Sequence, residues 1–75
     1  MSRLPAVTAR QVMAVLERSG FVLIRTKGSH YFYQHRNDPR RHTVIAYHRG
    51  DVPKGTRRDI LKDIGLTVEE FLDRL

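Results

Sequence analysis

Phe21-Val22-Leu23-Ile24-Arg25-Thr26-Lys27-Gly28-Ser29-His30-Tyr31-Phe32-Tyr33 is the stretch that decides the fold. Residues 21–26 are mostly aromatic, β-branched or aliphatic, the composition of a strand. Lys27-Gly28 follows, and glycine tolerates the positive φ of a tight hairpin turn. A second strand then runs from Ser29 to Arg36, rich in aromatics at its start. The turn therefore opens directly into a β-ribbon with a histidine, His30, at its head.

Downstream, Asn37-Asp38-Pro39 breaks the pattern and turns the chain. His42-Thr43-Val44-Ile45-Ala46-Tyr47-His48 reads as the third strand of an antiparallel meander. Upstream, residues 2–7 form an extended lead-in. Thr8-Ala9-Arg10-Gln11 has capping-box spacing and opens a helix over residues 9–19, with Val12, Val15 and Leu16 on one face. Gly20 is placed to stop it. Beyond the meander, Arg49-Gly50-Asp51-Val52 is a loop, and Thr56 is the expected cap of a second helix carrying Ile60, Leu61 and Ile64. That helix stops at Gly65, and Thr67-Val68-Glu69-Glu70 is a second capping box opening a short last helix. The expected fold class is α+β, in the order α-β-β-β-α plus a terminal helix, as one domain over residues 1–75. Its helices cover one face of a three-stranded sheet and leave the other open.

A turn centred near residue 39 pairs His30 with His48, Phe32 with Ala46 and Gln34 with Val44 on the open face. Tyr31, Tyr33, Thr43, Ile45 and Tyr47 then lie under the helices. A slip of one residue in the pairing would exchange the faces.

A chain of 75 residues is a small domain. Near this size only ~60% of the unfolded surface is buried, so no room remains for a deep substrate cavity or a large cofactor. The absence of cysteine excludes a disulfide scaffold, a thiol nucleophile and a cysteine-ligated zinc. No apolar run approaches ~18 residues and no leader pattern opens the chain, so a soluble cytoplasmic protein is expected. Net charge is +6, and it is uneven. Residues 1–58 hold twelve Lys and Arg against three acids, whereas residues 59–75 hold two against five. Eleven of the fourteen cations are arginine, the side chain suited to bidentate phosphate contacts. This asymmetry points to a polyanion partner, most simply nucleic acid.

Lys54, Arg57 and Arg58 crowd the start of the second helix, where the macrodipole disfavours cations. The free amides of Gly55, Thr56 and Arg57 make the same helix end suited to phosphate. Phe32, on an open face, is exposed apolar surface suited to a base or a partner protein. His35 and His42 flank the second turn as surface residues, and the histidines have no carboxylate at a metal-supporting spacing.

Gly28-Ser29-His30, with Leu23-Ile24-Arg25 before it, resembles the central signature of the HicA-type (YcfA-like) mRNA interferase toxins of toxin–antitoxin pairs. Leu4-Pro5 and Gly20-Phe21 resemble that family's opening. Tyr47-His48, Pro53-Lys54-Gly55-Thr56 and Arg58-Asp59-Ile60-Leu61 resemble its second half, and Gly65-Leu66-Thr67 to Glu70-Phe71 its end. The family often has two consecutive histidines, and here the second is Tyr31. The resemblance implies a double-stranded-RNA-binding-like fold and a ribosome-independent endoribonuclease with His30 as the catalytic residue. It also implies a HicB-type antitoxin that binds the toxin and covers its active site.

That activity suits these residues chemically. RNA carries its own nucleophile, the 2′-hydroxyl, so an enzyme need only move protons and stabilise the phosphorane. Histidine, with an unperturbed pKa of roughly 6.5, suits the proton steps. Arginine and lysine suit the charge step without a metal or other cofactor. His30 is therefore the expected general acid or base, and His48 the candidate second one. Arg25, Lys27 and Ser29 beside it, with Lys54, Gly55, Thr56, Arg57 and Arg58, are the expected RNA-binding residues. The expected partners are mRNA and an antitoxin, with the toxin monomeric when free of it. Two alternatives fit the same charge pattern: a non-catalytic RNA-binding module, and a domain that only docks an acidic protein.

Overall fold

In a computed structural model, which describes residues 5–75, the chain enters α1 (Ala9–Arg18) through the expected capping box. The remainder of the lead-in, residues 2–4, lies outside the described residues. Thr8 Oγ1 accepts the Gln11 N–H at 3.2 Å, and Gln11 Oε1 accepts the Thr8 N–H at 2.9 Å. Gly20, at φ 91°, carries the chain out of the helix into β1 (Phe21–Lys27). β2 (His30–His35) and β3 (Asp38–Ala46) complete an antiparallel sheet in the order β1-β2-β3. Then come α2 (Lys54–Ile64) and α3 (Val68–Asp73). The α+β architecture is the expected one.

The sheet has one buried face. Phe21, Tyr33, Thr43 and Ile45 are buried on it, against Val12, Leu16, Ile60 and Ile64 of the helices. Thr43 Oγ1 donates to Asp63 of α2 at 3.0 Å, so the buried threonine hydroxyl on this face is satisfied. Arg41 closes the far end of α2: its Nε and Nη2 both donate to the Ile64 carbonyl, at 3.0 and 2.6 Å. Gly65, at φ 73°, supplies the left-handed C-cap.

The second turn and the start of α2 differ from the reading of the sequence. Asn37-Asp38-Pro39 is not the turn; the turn is Arg36-Asn37, and Asp38 and Pro39 already belong to β3. Two hydrogen bonds fix it there, from the Arg36 N–H to the Gly20 carbonyl at 3.0 Å and from the Asn37 N–H to His35 Nδ1 at 3.1 Å. Proline is tolerated because β3 is an edge strand and the ladder is irregular beside it. Second, α2 starts at Lys54 with Pro53 as its N-cap and no side-chain cap bond, so Thr56 is inside the helix. Proline's fixed φ, here −59°, suits entry to a helix without a capping oxygen.

Candidate nucleic-acid interface

His30 is exposed at the first position of β2, directly after the Gly28-Ser29 turn. Gly28, at φ 58°, makes that two-residue connection possible. The Ser29 carbonyl accepts the Tyr47 N–H at 2.8 Å, which ties the turn to the strand beyond and holds His30 at the sheet's end. Across β1, Lys27 is the partner of His30 and Arg25 is the partner of Phe32. Cross-strand partners share a face, so both cations stand on the open side with the histidine. The Arg25 guanidinium lies over the Phe32 ring, 4.3 Å from its centroid.

A β-bulge produces this alignment. The pairing runs Leu23 to Tyr33 and then skips Ile24, so that Arg25 meets Phe32 and Lys27 meets His30. Without the extra residue, Ile24 and Thr26 would face Phe32 and His30, and the strand would present no cation beside the histidine. Bulges re-aim side chains in this way next to functional sites. Four consecutive apolar residues, Phe21 to Ile24, were the available sequence signal, since they break a strict alternation.

His48 is not the partner of His30. Beyond the Arg36-Asn37 turn the register shifts between Gln34 and His35, and His30 pairs with Ala46, Phe32 with Val44 and Gln34 with His42. The shift is two residues, which keeps every side chain on its expected face but carries His48 past the end of β3. There it is exposed and lines a recess of about 120 Å³ with Ala46, Val52, Pro53 and Thr56. Because Ala46 pairs with His30, this recess joins the histidine's end of the sheet to the start of α2.

At that helix start Lys54, Gly55, Thr56 and Arg58 are exposed. Arg57 is not: it is buried, and its Nη1 donates to the Pro5 carbonyl. It fastens the N-terminal segment instead of presenting a charge, which corrects its expected place in the interface. The Val52 N–H donates to the Val7 carbonyl at 2.7 Å, a second tie between the same segments. Arg10 is a cation the sequence reading passed over. Its Nη2 donates to the Tyr47 hydroxyl at 3.2 Å, and this bond holds the guanidinium's pKa above its ordinary value.

His35 is half-buried, its ring edge-on to Phe21 with centroids 5.0 Å apart, and its Nδ1 is engaged by Asn37. It is a packing residue and not a plain surface one. His42 is exposed on the open face. No group of three or more His, Cys, Asp or Glu stands close enough to hold a metal ion among the described residues. No helix among them is long and apolar enough to cross a membrane.

The family model for the HicA toxin of bacterial toxin-antitoxin matches residues 9–66. The chain belongs to that family. The match runs from α1 through α2 and takes in His30, the β1–β2 turn and the whole start of α2. Comparison with curated proteins gave no match. Membership in the HicA family makes the chain a toxin-family protein and implies an antitoxin partner.

Proposed function

We propose that this HicA-family protein is a metal-independent endoribonuclease that cleaves mRNA with His30 as its acid–base residue, held in check by a HicB-like antitoxin. The observation that carries this is His30 exposed at the head of β2 with Lys27 across from it and Arg25 on the next rung. A histidine in that position can take the proton of a ribose 2′-hydroxyl or return one to the leaving 5′-oxygen. The ammonium of Lys27 is the charge nearest in the pairing to stabilise the phosphorane. Pro53 and Thr56 at the start of α2 line the recess, and Lys54, Arg58 and the first amides of the same helix suit the next phosphates of the strand. His48, lining the same recess, is the second acid–base candidate, acting from the strand's end and not from a shared rung. An antitoxin that covers the open end of the sheet would exclude RNA from His30.

End-group analysis tests the chemistry. Digestion of a long unstructured RNA is expected to leave 2′,3′-cyclic phosphates, and a DNA strand of the same sequence is expected to stay intact. Cleavage of the DNA copy, or RNA products lacking the cyclic ends, would overturn the 2′-hydroxyl mechanism.

A further inference from the structure

The open face of the sheet does not end at His30. Val22, Ile24 and Val44 remain 41%, 53% and 40% exposed, and with half-buried Phe32 they form an apolar stripe beside the histidine. A shallow groove of about 360 Å³ crosses this stripe, lined among others by Ile24, Phe32, Gln34, His42 and Val44. The acid at its rim, Asp63, is engaged by the Thr43 hydroxyl. The Arg25 guanidinium stands over Phe32 of that lining, and Lys27 lies two residues further along β1, across from His30.

We infer that this face is a base platform: the RNA is held as an unpaired strand, and the base next to the scissile phosphate stacks on the Arg25–Phe32 pair. The inference rests on the reading of this end of the sheet as the RNA site. Duplex RNA offers a protein its phosphates, 2′-hydroxyls and a shallow groove, and none of these gains from an aliphatic surface. An unpaired strand offers the flat faces of its bases, which stack on aromatic rings and on guanidinium planes. The Arg25 guanidinium lies over the Phe32 ring and its side chain is exposed, so a base can stack on the pair. His30 and Phe32 are two residues apart on one strand, about 7 Å, a step comparable to that between nucleotides of an extended strand. A phosphate at His30 thus sets its neighbouring base over Arg25. The positive border of the stripe favours a polyanion over an apolar protein surface as its occupant.

The test is a binding measurement in the His30→Ala background, where no cleavage intervenes. Three labelled probes are compared: a single-stranded 12-mer RNA, the same sequence as a duplex, and an abasic strand with the same phosphates. The single strand is expected to bind about tenfold or more tightly than the abasic strand, the effect of stacking one or more bases. It is also expected to bind more tightly than the duplex. Arg25→Lys, which keeps the charge and loses the plane, is expected to remove most of that preference. Phe32→Leu, which keeps apolar bulk and loses the ring, is expected to do the same. Equal affinity for the single and abasic strands would overturn the inference, as would an undiminished preference in Arg25→Lys and Phe32→Leu. Either result would leave the stripe to a protein partner. Because binding is read without cleavage, a failure here is separate from a failure of the nuclease reading, which the end-group assay reports.

Discussion

Two neighbouring arginines show how position decides what a side chain does. Arg57 is buried and bonded to the Pro5 carbonyl, whereas Arg58 is exposed at the same helix end. Removing the buried one strands a carbonyl and costs a charge-assisted hydrogen bond, about 2 kcal/mol. Arg57→Ala is therefore expected to lower the urea midpoint while leaving the RNA affinity of the folded protein unchanged. Arg58→Ala is expected to leave the midpoint alone and weaken RNA binding. For Arg58→Ala the slope of log affinity against log salt should also become shallower by about 0.7, one phosphate contact on a single strand. If the two variants exchange these behaviours, the assignment of the interface is wrong. The sequence placed both arginines at the helix start but could not separate them, because burial of Arg57 depends on a segment more than fifty residues away.

Among the elements, those with local punctuation were legible. Both capping boxes, at Thr8 and Thr67, form as their spacing predicts, and Gly65 adopts the left-handed conformation that ends α2. Each is fixed by atoms within a few residues of one another, so the sequence contains the whole cause. The strand register was not legible for the opposite reason. Asp38-Pro39 has turn composition, yet hydrogen bonds to Gly20 and within His35–Asn37 place the turn earlier. The bulge at Ile24 was missed in the same way, although it decides which cations face His30. The α3 box makes a prediction of its own. Glu70 Oε1 accepts the Thr67 N–H at 2.9 Å, and that bond, before any other cause, holds the carboxyl's pKa below its ordinary value. A carboxylate with a lowered folded-state pKa stabilises above its unfolded value and loses that contribution as pH falls through the folded one. Wild type should therefore be more stable than Glu70→Gln at neutral pH, and the gap in thermal midpoint should close below about pH 4. A gap that stays constant across that range contradicts this role for Glu70.

On the scale of the molecule, the fold separates its charges by task. The acids Glu69, Glu70 and Asp73 ride on α3, the last element, while Arg25 and Lys27 stand on the face of the sheet that holds His30 and Lys54 and Arg58 are exposed at the start of α2. The sequence showed this asymmetry between residues 1–58 and residues 59–75, and the sheet shows which of the cations share a face with His30. His30 stands in solvent on the side the helices leave bare, so its removal should not disturb the core. That makes it the position at which chemistry and stability separate most cleanly. The most direct measurement is cleavage of an unstructured RNA in EDTA by the wild-type protein and by His30→Ala, with thermal midpoints taken alongside. Cleavage by the wild type, its loss in His30→Ala and matching midpoints are the predicted result. Equal cleavage by both proteins, or none by either, would contradict the account.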